Sequence, residues 1–348
     1  MTVRAWPADD LHAEALQRLL QDRCPPALVR AIEAGASPAA LWADVESSGH
    51  ADALVAEERG GAGLALEEAY PLLELCGRLA LPVPLAATLL GRALLDRAGV
   101  AVPPGAGLTI AHAATLDAGG LHAPQVPFGR VAGHVLVQAD GAVLLLPAAA
   151  AQAGPGVFPL DATLAWPHAV LRDAVRVPGD HDLLVLQACA ASALLAGALR
   201  AAFEQALAHA QQREQFGRPI GKFQVIQHHL AVLAEHVLAA RLAARLGCTA
   251  ARDGAPDRLR VAMAKARTSE AAVEGAATAH AVHGAIGFTA EYDLQLHTRR
   301  LHAWRLLAGS ESHWHAVLGG ALLDGPHEAT LDAARALTDR DTNEEPTA

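Results

Sequence analysis

The chain has 348 residues, enough to bury a large core and to form two or three subdomains. Hydrophobic residues make up 52% and aromatic ones only 4%, so the apolar content is mostly Ala, Leu and Val, which suits closely packed helices. A net charge of −10, with no basic block, argues against nucleic acid and anionic membrane surfaces as partners.

Met1 to Leu11 carries charges and a Pro but lacks the apolar core of a signal peptide. Cys24, Cys76, Cys189 and Cys248 are far apart with no CxxC pair, which points to buried thiols in a reducing compartment. A soluble, cytoplasmic protein is expected. Residues 1–104 read as helices with short breaks, among them the glycine-rich turn Glu57 to Leu64 ahead of a helical stretch around Glu67 to Gly77. Pro82, Pro84, Pro103 and Pro104 mark later breaks.

Residues 105–178 change character. Val131 to Val137 and Ala142 to Leu146, joined at Asp140-Gly141, have the pattern of a β-hairpin, and Val175 to Val177 that of a further short strand. Thr109 and Thr115 are either hydroxyl contacts for a ligand or ordinary strand residues.

From 179 to 338 the pattern is helical again. Residues 182 to 212 predict one helix, capped by Asp180 or Asp182. Its apolar run Leu183 to Leu199, interrupted by Gln187, is shorter than a membrane span and reads as a buried helix. Ile226, Leu230, Leu233 and Val237 recur at amphipathic spacing. After a polar break at Arg252 to Asp257, Arg258 to Val282 and Tyr292 to Leu323 predict two more helices, making a bundle of four. The polar tail 339–348 is expected to be disordered. The expected fold class is therefore mainly α with a small central β-domain.

Two segments carry chemistry. The first, Arg213-Glu214-Gln215-Phe216-Gly217-Arg218-Pro219-Ile220-Gly221-Lys222-Phe223-Gln224, turns sharply between two helices and offers a cation, an amide and an aromatic. The second, Ala281-Val282-His283-Gly284-Ala285-Ile286-Gly287-Phe288-Thr289-Ala290-Glu291-Tyr292, is a glycine-bearing loop whose backbone can approach a ligand closely. In this order and separation they resemble the acyl-CoA dehydrogenase family, whose R-x-x-F-G…F-Q segment binds flavin adenine dinucleotide (FAD) across a subunit interface. Glu57 to Leu64 adds a looser likeness to the P-E-x-x-G-G-x-G-L stretch, with Ala56 in place of the Pro. The family's T-E-P-x-x-G-S-D and W-x-S/T segments are not recognisable in residues 105–178.

The resemblance implies a helical amino-terminal domain, a central β-domain shielding one side of the flavin, and a carboxy-terminal four-helix bundle. It implies that Arg213 binds a pyrophosphate in a geometry Lys cannot copy, against the ordinary alternative of a salt bridge with Glu214 or a neighbour. Phe216 would pack on the flavin or fill the turn's own core, and Gln224 would hydrogen-bond flavin in a partner subunit. Val282, His283, Gly284 and Ala285 would supply backbone contacts near the adenine, and Ala281 stands where members commonly have Gln. Ser310 and Ser312 would touch the cofactor or cap a helix.

The implied reaction is α,β-dehydrogenation of an acyl-CoA thioester, with an electron-transfer flavoprotein as electron acceptor. It needs a base to take the α-proton. Both usual carboxylate positions hold other residues: Ala308 before Gly309-Ser310, and Gln187 at 26 residues before Arg213. Glu311 is the nearest carboxylate to that loop, and Glu291 and Asp293 are weaker candidates. The resemblance implies a homo-oligomer or a heteromer with a paralogous subunit, and the replaced positions leave two further readings open: a subunit whose paralogous partner supplies the chemistry, or a helical interaction protein that has lost the flavin. The 18 histidines include no set that specifies a metal. His297, His302, His313 and His315 are expected along the polar face of one late helix.

Overall fold

The computed structural model describes residues 11–251, 254–325 and 330–338; the tail 339–348, the first ten residues and Arg252 and Asp253 of the polar break lie outside them. Five helices come first: α1 (Leu11–Arg23), α2 (Pro26–Glu33), α3 (Ala39–Ser47), α4 (Leu66–Arg78) and α5 (Leu85–Arg97). Pro26 opens α2, where a missing N–H costs no hydrogen bond and the fixed φ suits the first turn.

Eight strands follow: β1 (Leu108–Ala111), β2 (Thr115–Asp117), β3 (Gly120–Val126), β4 (His134–Ala139), β5 (Ala142–Pro147), β6 (Gln152–Ala153), β7 (Ala162–Trp166) and, after the short helix α6 (His168–Arg172), β8 (Val175–Val177). They form two four-stranded sheets, β1-β4-β5-β8 and β2-β3-β7-β6. Leu121, Ala123, Leu164 and Trp166 of one sheet share a core with Val135, Val137 and Leu146 of the other. The predicted hairpin is β4–β5, and it turns on Asp140 (φ 48°) and Gly141 (φ 74°), the left-handed pair that a two-residue hairpin loop requires. Its first strand starts at His134 rather than Val131, because Val131 and Ala132 donate their N–H groups to the Phe128 carbonyl in a tight turn. Thr109 is a buried residue of β1 whose hydroxyl donates to the Pro127 carbonyl at 2.5 Å.

The bundle consists of α7 (Leu183–Gln212), α8 (Gln224–Gly247), α9 (Arg258–His283), α10 (Leu294–Leu306) and α11 (Glu311–Asp324), with α12 (Thr330–Thr338) beyond. Asp182 caps α7, its Oδ1 accepting from the Val185 N–H at 3.0 Å. In the most apolar stretch of α7, 89% of residues are buried inside the protein, so this is a core helix. One predicted helix, Tyr292 to Leu323, is two. Ala308 (φ 55°) and Gly309 (φ 93°) adopt left-handed backbone between α10 and α11 and end the first helix. His297, expected on a polar face, is instead 7% exposed and packed into the core.

α4 and α7 cross in close contact. A Cβ on Gly77 would overlap the Leu194 carbonyl, and one on Gly197 would overlap the Glu74 carbonyl. Beside this crossing the buried Glu74 receives Arg241 of α8, with Nη2 at 3.1 Å from Oε2. All four cysteines are free and buried, and the thiols of Cys189 and Cys248 lie 3.7 Å apart.

Candidate functional site

The residues singled out in the sequence fall into two clusters at opposite ends of α7. At its carboxy-terminal end the chain forms a two-residue-paired hairpin, β9 (Glu214–Gln215) with β10 (Arg218–Pro219), turning on Phe216 (φ 52°) and Gly217 (φ 75°). Arg213 is the first residue past α7, exposed, with no ion pair among the described residues. Phe216 is 94% exposed and so fills no core of its own chain. Its ring meets that of Phe223 edge-on at 6.1 Å, and the Arg218 guanidinium lies 4.3 Å from the Phe223 centroid. An exposed aromatic at positive φ is unfavourable twice over, a pattern typical of binding loops. Gln224 is exposed at the first turn of α8.

The glycine loop reaches this hairpin through histidines. His283, at the end of α9, stacks on His209 of α7 at 4.5 Å, and Tyr292 packs edge-on against both. Burial, and then the neighbouring His283 and Arg213, lower the pKa of His209. Val282 and His283 are buried, whereas Gly284 and Ala285 are exposed. Gly284 has φ 65° and open space where a side chain would stand. Thus Arg213, Phe216, Gln224, Gly284 and Ala285 share one end of the bundle, and all five face solvent.

The second cluster surrounds Gln187, near the amino-terminal end of α7. Its Nε2 donates to the Ile110 carbonyl at 2.8 Å, and its Oε1 meets Nδ1 of His112, just past β1. Gln187 also walls an apolar pocket with Ile110, Ala190, Ala191, Leu194 and Leu307. The pocket's free volume, about 20 Å³, holds a single water. Ala308 is buried, its carbonyl accepting from Trp314 Nε1 at 2.9 Å. Ser310 precedes α11 and is half-buried, without a side-chain capping bond, and Ser312 is exposed. Glu311 is bound at both oxygens by Arg305, at 3.2 and 2.5 Å, and this bond holds its carboxyl below the usual range. Asp293 is paired with Arg30.

Three members of this cluster carry no motif: His112, Arg305 and Lys265. The Lys265 Nζ donates to Ser269 Oγ and to the carbonyls of Arg305 and Gly309, all within 2.9 Å, which fixes the turn between α10 and α11. Burial pushes its pKa down to about 7, although three acceptors favour the ammonium. Its position on the stripe Val261, Lys265, Thr268, Ala272 could have marked it as inward-facing.

A family model described as acyl-CoA dehydrogenase, C-terminal domain, matches residues 184–319. The acyl-CoA dehydrogenase IpdE2 of Mycobacterium tuberculosis is 30% identical, over 83% of this chain and 89% of its own length. This chain belongs to the acyl-CoA dehydrogenase family. Among solved structures, the Tcur3481-Tcur3483 steroid ACAD variant is 25% identical and superposes with a TM-score of 0.80, over 90% of this chain and 97% of its own. The ChsE4-ChsE5 complex from Mycobacterium tuberculosis gives 0.78 at 22% identity, over 91% and 97%, and so shows the fold.

Acyl-CoA dehydrogenases are FAD-dependent oxidoreductases. The donor set at the end of α7 fits that cofactor: an unpaired guanidinium suits a diphosphate, the open Gly284 admits close backbone approach, and the bare Phe216 offers a ring face. Flavin's task in this family is to take the β-hydride of the thioester.

Proposed function

We propose that this chain is a subunit of an FAD-dependent acyl-CoA dehydrogenase, and that each flavin site is built from two chains. One observation carries this reading. Arg213 and Gln187 stand 26 residues apart along α7, a distance of roughly 39 Å at 1.5 Å per residue. That exceeds the length of an extended FAD, so the Arg213 cluster of one chain serves the cleft beside Gln187 of another. Within that site Arg213 holds the pyrophosphate, Phe216 and Gln224 contact the flavin, and Val282, His283, Gly284 and Ala285 line the adenine end. Ser310 and Ser312 lie at the cleft end instead. The apolar pocket beside Gln187 takes the acyl chain once its walls part. An electron-transfer flavoprotein is the expected electron acceptor, and the four buried free thiols suit a reducing cytoplasm.

Sedimentation together with flavin content tests the reading. A dimer or larger assembly that retains FAD, and is reduced anaerobically by an acyl-CoA thioester, is the expected result. A monomer binding FAD at full occupancy would refute the shared site.

A second reading rests on Ala308 and Gln187: with no carboxylate at either usual position, the chain pairs with a paralogue that supplies the base. Both structural relatives above are named as pairs, ChsE4-ChsE5 and Tcur3481-Tcur3483. Flavin reduction only after a second chain is added would favour this form of the proposal.

A further inference from the structure

The side-chain amide of Gln187 is committed at both ends, and the commitment has a chemical consequence. The Ile110 carbonyl can only accept, so the NH₂ of Gln187 faces Ile110 and its oxygen faces His112. That oxygen also only accepts. His112 must therefore present Nδ1–H, which leaves the lone pair of the neutral imidazole on Nε2. No group among the described residues bonds that nitrogen. His112 is half-buried and lines an open groove of the β-domain with Thr115, Pro124, Gln138 and Thr163. Gln187, 3% exposed, lines the apolar pocket on its other side. The His112–Gln187 pair thus stands between an open groove and the small apolar pocket.

Resting on the dehydrogenase reading above, we propose that His112 Nε2 is the proton acceptor that stands in for the absent carboxylate, with Gln187 as its positioning residue. The α C–H bond of the thioester breaks, and its electron pair becomes the new Cα=Cβ bond. The β-hydrogen leaves with its own pair as a hydride to oxidised flavin, which is thereby reduced by two electrons. The α-proton ends on His112 Nε2. The resulting imidazolium keeps its Nδ1–H on the Gln187 oxygen, now as a charge-assisted bond, stronger than the neutral one. A base oriented by a third group is the general logic of such sites.

The surroundings suit the task. Burial lowers the pKa of His112, which keeps it neutral and able to accept at pH 7; the bond from Gln187 and the charge of Asp182 oppose the shift, and His313 of α11 adds to it. His122 and Asp140 line the same groove. Glu311, by contrast, would have to leave Arg305 before it could act.

Two measurements test the proposal. In the ligand-free ¹⁵N-labelled protein, His112 should carry its proton on Nδ1 and be bare at Nε2; the opposite tautomer overturns the proposal whatever the flavin does. The second is single-turnover reduction by an α-deuterated acyl-CoA, on the protein with any subunit that co-purifies. His112→Asn keeps a donor for Gln187, so flavin should stay bound while reduction slows about 10²–10⁴-fold. Reduction within about threefold of wild type overturns the proposal. Should wild type bind acyl-CoA without reducing flavin, the dehydrogenase reading fails on its own. Exchange of the α-deuterium then still decides: loss in His112→Asn supports the proposal, and exchange that survives the substitution overturns it.

Discussion

Arg305 grips Glu311 with two nitrogens across the turn between α10 and α11, so the carboxylate beside Ala308-Gly309-Ser310 is already engaged. Its pKa is lowered chiefly by that hydrogen bond, which makes it a weaker base than a free carboxylate. Glu311→Gln should therefore leave flavin bound and still reducible by acyl-CoA. The expected cost is structural, about 1 kcal/mol for a weakened, partly exposed ion pair, read as a shift in denaturant midpoint. Loss of flavin reduction with no change in flavin content would instead identify Glu311 as the base.

Arg213 is exposed and makes no ion pair among the described residues, so its removal breaks no salt bridge there. Arg213→Ala should weaken FAD binding by about 1.5–3 kcal/mol, the worth of a hydrogen bond to a charged group, and leave the melting temperature of the FAD-free protein unchanged. Arg213→Lys should recover only part of that, because a point charge cannot present two parallel N–H donors. Fluorescence titration of the apoprotein with FAD measures both, and wild-type affinity in Arg213→Ala would remove Arg213 from the site.

The long helices were legible in the sequence because their periodicity and capping agree: α7 and α9 begin within a residue of Asp182 and Asp257, whose carboxylates accept from first-turn amides. The Asp140-Gly141 turn was legible for the same local reason. The break at Ala308 was not, since an Ala at positive φ is held by distant groups, Trp314 on its carbonyl and Lys265 on the next. Strands β3, β6 and β7 were not read at all, and β1 and β2 only through Thr109 and Thr115: β3 is broken by a bulge between Ala123 and Val126, and β2 and β6 are wholly exposed, with no apolar alternation. The motif residues at the end of α7 announced themselves by type and spacing. His112 did not, because its meaning lies in a bond to a residue 75 positions away.

The buried histidines predict an acid limit to stability. His297 lies wholly inside the protein, where burial and then the Arg300 charge push its pKa down to about 3, against a weaker opposing hydrogen bond with Gly77. A histidine depressed in the folded state favours the unfolded chain once the unfolded imidazole protonates. Its contribution is therefore complete above pH about 6.5 and is lost as pH falls from there toward 3. The full effect is on the order of 5 kcal/mol. His112, His209, His280 and His283 are shifted in the same direction, all by burial first. Unfolding free energy measured from pH 8 to pH 4 should fall steeply below 6.5, and His297→Gln should flatten the slope; a flat wild-type profile would contradict the burial of these rings.

The crossing of α4 over α7 gives the sharpest test of the packing. Gly197 and Gly77 face each other's helices so closely that a methyl group at either would overlap a backbone carbonyl, of Glu74 or of Leu194. Backbone cannot step aside as a flexible side chain can, so the helices would have to separate. The same crossing carries Glu74, whose ion pairs with Arg241 and Arg200 need the present spacing. Gly197→Ala gains helix propensity of about 1 kcal/mol relative to Gly. Overpacking of a close-packed contact typically costs about 1–3 kcal/mol, and strain on the buried Glu74 pairs adds to it. The net expectation is destabilisation by about 2 kcal/mol or more, or loss of soluble protein. Gly319→Ala on α11, where nothing lies within 4 Å, is the control and should be neutral or stabilising. Equal stability of Gly197→Ala and wild type in urea titration would show that α4 and α7 do not meet as closely as this crossing requires.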